Sequence, residues 1–161
     1  MTAAQGARPQ SRPTRQPKSV RYTIDASVFV NAFNPHEEGH AESLQMLAAI
    51  QERGDPVIVP ALLLSEIASA VARATDDSVG ARQYADATAI LPHLTIVTLT
   101  VPLARHADAL AAAHRLRGAD AVYLAVARRY GTTLVSRDEE QRTRGSAIAT
   151  CQTPEETLRA R

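Results

Sequence analysis

Val20-Arg21-Tyr22-Thr23-Ile24-Asp25 is the stretch on which the reading of this chain turns: a short β-branched run that stops on a carboxylate. Such residues favour a pleated, buried surface, and a run this short reads as a strand rather than a helix. The pattern recurs outward along the chain at Val57-Ile58-Val59, Thr95-Ile96-Val97-Thr98-Leu99 and Thr132-Thr133-Leu134-Val135, and more weakly at Ala147-Ile148-Ala149-Thr150. Ala-rich stretches with helical spacing lie between these runs. Residues 36–53 carry Leu44, Leu47 and Ile50 on one face and close at Gly54, and residues 61–75 follow Pro60, which suits a first helical turn. Helices are also predicted over 77–91, 101–117 and 120–130, with Gly118 separating the last two and Gly131 ending the last. Strands alternating with helices predict an α/β fold, a mainly parallel sheet covered by helices on both faces.

A length of 161 residues suits one domain, and the 45% hydrophobic content is enough for a core without disulfide or metal staples. The single cysteine, Cys151, excludes an internal disulfide framework and a Cys-rich zinc module. The longest apolar run, from Val57 to Leu64, stops at Ser65-Glu66, far short of the roughly 18 residues of a membrane span. The polar N-terminus has no apolar stretch of the secretory kind, so the expectation is a soluble, cytoplasmic protein. Arg8, Arg12, Arg15, Lys18 and Arg21 stand without an acid in the first 21 residues, leaving 13 basic against 17 acidic residues in the rest, a formal −4. Residues 1–19, with Pro9, Pro13 and Pro17, are predicted to be a disordered basic tail before one domain over 20–161. The tail is either a solvated leader or an electrostatic arm toward phosphates.

In a parallel sheet of this kind, ligands gather at the carboxyl ends of the strands, near a switch in strand order. Asp25 follows the first strand, Asp138 lies just beyond the fourth, Asp120 opens a helix, and Glu66 sits in the early turns of the helix after the second strand. If they converge on one rim, the carboxylates repel, raise one another's pKa and are relieved by protons or a shared cation. Carboxylates without a His/Cys cluster favour Mg²⁺ or Mn²⁺ over zinc, and such an ion activates water and neutralises charge on a phosphodiester. Each acid also has a plainer role open to it. Asp25, Asp120 and Asp138 suit helix N-caps, and Glu66, beside Ser65 and Ser69, suits the solvent side of its helix.

Taken in order, Tyr22-Thr23-Ile24-Asp25-Ala26-Ser27-Val28, Leu64-Ser65-Glu66-Ile67, Arg117-Gly118-Ala119-Asp120-Ala121-Val122-Tyr123-Leu124-Ala125-Val126-Ala127 and Leu134-Val135-Ser136-Arg137-Asp138-Glu139-Glu140 resemble the PIN domain family. Within it they are similar to the VapC-type toxins of bacterial toxin–antitoxin pairs. The closing Thr153-Pro154-Glu155-Glu156-Thr157-Leu158 also looks like the end of such proteins. The resemblance implies a five-stranded parallel sheet and metal-dependent endoribonuclease activity on RNA. It places Asp25, Glu66, Asp120 and Asp138 on the acidic set that binds Mg²⁺ or Mn²⁺, with Ser27 and Ser136 in supporting positions. It also implies a cognate VapB-type antitoxin covering the acidic groove, and a homodimer. The apolar surface of residues 61–75 and 29–33 is the place expected to receive a partner helix. Two departures stand out: Gln141, where an apolar or aromatic residue is usual, and Glu140, where Asp is frequent.

Three rival functions are open to the same residues: a PIN-type nuclease that is not a toxin, a non-catalytic module on the same fold, and a receiver-like domain phosphorylated on Asp25. Ser27 stands where a receiver would carry a second Asp, which disfavours the last. No G-x-x-x-x-G-K-[ST] loop is present, against nucleotide hydrolysis. His36 and His40 are four apart, a spacing that places them on one helical face, but without the H-E-x-x-H pattern a surface role is expected. Arg117 and Arg137 are read as either solvated or phosphate-steering, and Cys151 as a small packing residue.

Overall fold

A computed structural model describes residues 20–160; the expected basic tail, residues 1–19, lies outside them. Tyr22–Ile24 (β1), Val57–Pro60 (β2), Leu94–Val97 (β3), Thr133–Val135 (β4) and Cys151–Gln152 (β5) form one all-parallel sheet in the order β3-β2-β1-β4-β5. The first strand is therefore the central one. β2 and β3 extend the sheet to one side and β4 and β5 to the other, so strand order reverses between β1 and β4. In open α/β sheets this is where a crevice opens at the carboxyl ends.

The helices are Ala26–Phe33 (α1), His40–Arg53 (α2), Leu62–Thr75 (α3), Ser78–Ala89 (α4), Val101–His114 (α5), Gly118–Tyr130 (α6), Glu139–Gly145 (α7) and Pro154–Arg159 (α8). Alternation along β2 shows how they cover both faces. Val57 and Val59 join a core with Ile24, Phe29, Met46, Ile50, Leu63 and Ile67, whereas Ile58 between them packs with Leu103, Ala107 and Leu110 of α5. α6 touches both cores. Its residues from Asp120 to Ala127 are buried without a break, which explains why that stretch is almost entirely small or apolar.

Several boundaries differ from those expected, each for a local reason. The fifth strand is Cys151–Gln152 rather than 147–150, because the N–H groups of Ile148 and Ala149 both bond back to Gly145 O in a turn. The chain joins β4 from Thr150 onward, where Leu134 N donates to Thr150 O at 2.8 Å and Ser136 N to Gln152 O at 3.1 Å. His36 and His40 do not share a helix, since Gly39 takes a left-handed φ of +78° and α2 starts after it. α5 stops at His114, where Arg115 turns left-handed at φ +54°, so Gly118 opens α6 instead of separating two helices.

Candidate active site

The register of β1 against β4 builds the site. Ile24 lies opposite Val135, and Asp25 N donates to Val135 O at 2.9 Å, so Asp25 and Ser136 leave adjacent strands at one level. Asp25 is the N-cap of α1: its Oδ2 accepts from Ser27 N at 2.8 Å. Asp138, two residues past Ser136, is the N-cap of α7 and accepts from Gln141 N at 2.9 Å through Oδ1. Capping and lining the crevice are thus the same geometry for these two residues, since a cap carboxylate stands at the strand exit. Asp120 is not a cap. It lies in the first turn of α6, where the N–H ends of the helix favour negative charge, and its Oδ2 accepts from Arg117 Nε at 2.8 Å. Glu66, one turn into α3, accepts from the Tyr123 hydroxyl at 2.7 Å.

All four acids line one open cleft of about 610 Å³, together with Ser27, Arg73 and Arg117. Asp25 is 8% and Asp120 9% exposed. Burial is the main reason the Asp25, Glu66 and Asp120 carboxyls are held above their ordinary range, and mutual repulsion adds to it: Asp138 acts on Asp25, Asp25 and Asp120 act on Glu66, and Asp138 and Asp25 act on Asp120. Burial pushes Asp138 the same way, but the backbone N–H of Gln141 and the Arg117 guanidinium outweigh it and hold that carboxyl below its usual range. Asp138 is therefore the acid that stays ionised at least cost.

Ser27 and Ser136 brace the crevice floor. Their hydroxyls face each other at 3.4 Å; Ser27 Oγ accepts from Arg137 N at 3.0 Å, and Ser136 Oγ accepts from Asp138 N at 3.0 Å. They position the backbone that carries Asp138. Neither arginine is free in solvent. Arg137 donates to Ser43 Oγ, Gly39 O and Glu155 Oε1, clamping α2 and α8 to the end of β4. Arg117 spans Asp120 and Asp138. Among the described residues no three acidic, His or Cys side chains form a ready coordination set, and between two of these acids it is a guanidinium that supplies the positive charge. The donor chemistry still fits a hard divalent ion, because the cleft gathers four oxygen-donor side chains, three of them strained by burial and repulsion.

Sequence reasoning missed Tyr123 and the contacts of two other participants. Tyr123 stands three residues after Asp120, a spacing that puts both on one face of α6. Gln141 showed only as a departure from an apolar pattern, and Arg117 as a solvated or phosphate-steering arginine, not as the partner of Asp120 and Asp138. A second depression, about 400 Å³ and mostly apolar, is lined by Phe29, Phe33, Leu44, Leu47, Tyr84 and Leu91. It is built by α1, α2 and α4, with α4 folded back beside α1, where the Tyr84 hydroxyl donates to Phe29 O at 2.7 Å; of the surface expected to receive a partner helix it takes in residues 29–33 and not 61–75. No helix among the described residues is long and apolar enough to cross a membrane.

Solved structures share this fold at low sequence identity. VapC20 from Mycobacterium tuberculosis, a sarcin–ricin loop cleaving toxin, superposes with a TM-score of 0.65 at 18% identity, over 74% of this chain and 92% of that one. VapBC2 from Rickettsia felis, bound to a DNA fragment from its promoter, gives 0.63 at 13% identity, over 83% and 98%. A toxin–antitoxin complex from Klebsiella pneumoniae gives 0.59 at 19% identity, over 83% and 97%. No curated protein matches the chain. The family model of the PIN domain matches residues 22–145, a span that runs from β1 through α7 and takes in Asp25, Glu66, Asp120 and Asp138. The chain belongs to the PIN domain family.

Proposed function

We propose that this chain is a divalent-metal-dependent endoribonuclease and the toxin component of a type II toxin–antitoxin pair. The observation that carries the proposal is the meeting of Asp25, Glu66, Asp120 and Asp138 in one cleft where strand order reverses. These four residues would hold Mg²⁺ or Mn²⁺, which when bound supplies a Lewis acid that lowers the pKa of water and neutralises phosphodiester charge. Ser27 and Ser136 keep the Asp138 backbone in register with Asp25. Tyr123 holds Glu66 in one rotamer, and Arg117 and Arg73 give the cleft the positive charge that a polyanion needs. RNA is the substrate class we assign, on the likeness to a sarcin–ricin loop cleaving toxin.

The partner we assign is a VapB-type antitoxin, whose amphipathic helix would lie in the apolar groove of α1, α2 and α4. Support comes from the chemistry of that groove, with Phe33 38% and Leu44 51% exposed, and from related folds solved as toxin–antitoxin complexes. A homodimer is part of the same proposal. Incubation of purified protein with total RNA in Mn²⁺, in Mg²⁺ and in excess chelator, followed by end mapping, tests the activity. Discrete cuts in either ion and none with chelator are expected. Intact RNA in every condition, with the fold retained, would leave a non-catalytic module in its place. Growth arrest on expression, relieved by the product of an adjacent gene, separates a toxin from a processing nuclease.

A further inference from the structure

We infer that Gln141 is a positioning residue for Asp25, kept at the expense of fold stability; this rests on the metal-dependent reading of the cleft. Gln141 is the third residue of α7 and is 0% exposed. Its backbone N–H donates to Asp138 Oδ1 at 2.9 Å, and its side-chain Nε2 donates to Asp25 Oδ1 at 3.3 Å. One residue thus ties two acids that lie far apart in the chain, one through its backbone and one through its side chain. Asp25 Oδ2 is already taken by Ser27 N at 2.8 Å. With a donor on each oxygen the carboxylate plane is fixed, and each oxygen keeps a lone pair with which Asp25 would help hold a cation.

Packing alone does not explain a glutamine here. Its Oε1 is buried without a hydrogen-bond partner among the described residues, and a buried unsatisfied carbonyl destabilises a fold. An apolar side chain of similar length fills the same space without that penalty. What an apolar residue does not provide is the bond to Asp25. The amide is therefore accounted for by the site, not by the core.

The test compares the wild type with Gln141→Met, which keeps the length and flexibility of the side chain, and with Gln141→Leu as a second apolar variant. Mn²⁺ binding is measured by calorimetry at a temperature where all three are folded, and melting is followed without metal. The expected result is a loss of Mn²⁺ affinity of about tenfold in both variants, the scale typical of lost outer-shell partners. Melting temperatures are expected to equal or exceed the wild type's. Wild-type affinity in either folded variant overturns the positioning role and leaves the proposed function standing. Lower melting temperatures in both variants, or failure of both to fold, overturn the stability argument and make Gln141 a packing residue. A wild type that takes up no Mn²⁺ overturns this inference together with the reading on which it rests.

Discussion

The phenol of Tyr123 in α6 donates to Glu66 Oε2 in α3 at 2.7 Å, crossing between two helices that each contribute an acid to the cleft. Burial, followed by the charges of Asp25 and Glu66, raises the phenol pKa well above its ordinary value, so it remains a donor throughout the working pH range. Tyr123→Phe removes the hydroxyl and keeps the ring. Because this bond restrains the rise in the Glu66 pKa, the variant should carry a more easily protonated Glu66, bind Mn²⁺ more weakly and cleave more slowly. Loss of stability should be about 1 kcal/mol, the usual worth of one hydrogen bond, read by urea unfolding.

Asp25→Asn should abolish cleavage while leaving the fold intact. Asn is as good an N-cap as Asp, so α1 keeps its start, and the substitution removes a buried charge. The expected signature is a wild-type or higher melting temperature with no Mn²⁺-dependent RNA cleavage. Asp25→Ala is a poorer probe: the lost cap should destabilise by ~1 kcal/mol and confuse the two effects.

The pH dependence has a definite sign. Asp25, Glu66 and Asp120 have folded-state pKa values above their unfolded ones, so the metal-free fold binds protons more readily than the unfolded chain. Their contribution to stability therefore rises as the pH falls through the folded pKa and is complete below the unfolded pKa. Asp138 and Glu155 run the other way: their contribution is present above the unfolded pKa and is lost as pH falls through the depressed folded value. Metal-free melting temperature should thus climb on mild acidification, as the pH falls toward the ordinary carboxylate range, and drop at stronger acidity, below that range. The upward shift caused by Mn²⁺ should shrink over the same mild interval, since protons and ion compete for the same oxygens. Scanning fluorimetry with and without Mn²⁺ reads both.

Arg117 competes with any cation for Asp120 and Asp138. Its side chain is 59% exposed, so the ion pairs are worth little to the fold, within about 1 kcal/mol. Arg117→Gln should therefore leave the melting temperature near wild type and tighten Mn²⁺ binding severalfold in calorimetry. The Michaelis constant for RNA should rise, because the cleft mouth loses a positive charge.

Arg137 is a different kind of arginine. Its donations at 2.9 Å to Ser43, 2.5 Å to Gly39 O and 2.8 Å to Glu155 are half-buried. Arg137→Ala should destabilise by about 2 kcal/mol, the scale of charge-assisted hydrogen bonds. A melting curve shifted down by several degrees, with the residual Mn²⁺ affinity of the folded fraction preserved, is the expected readout.

Much of this architecture is legible in the residues themselves. Tyr22-Thr23-Ile24 and Thr133-Leu134-Val135 are buried strands written in β-branched and apolar residues, and their exits are marked by Asp25 and Ser136. Features set by tertiary contact are not written this way. The turn at Ile148 and Ala149 uses strand-like residues, and only the bonds to Gly145 O displace the pairing to Cys151. Arg115 adopts a left-handed turn where a glycine is usual, so α5 ends earlier than its composition implies. The role of Gln141 depends on a neighbour 116 residues away, which no local pattern encodes.

That β1 sits at the centre of the sheet while β4 lies more than a hundred residues later has a consequence for synthesis on the ribosome. Thr23 and Thr132, bonded at 2.6 Å and separated by 109 positions, cannot meet until the segment between them has left the exit tunnel. A nascent chain therefore carries Asp25 and Glu66 long before Asp120 and Asp138 exist to complete the crevice with them.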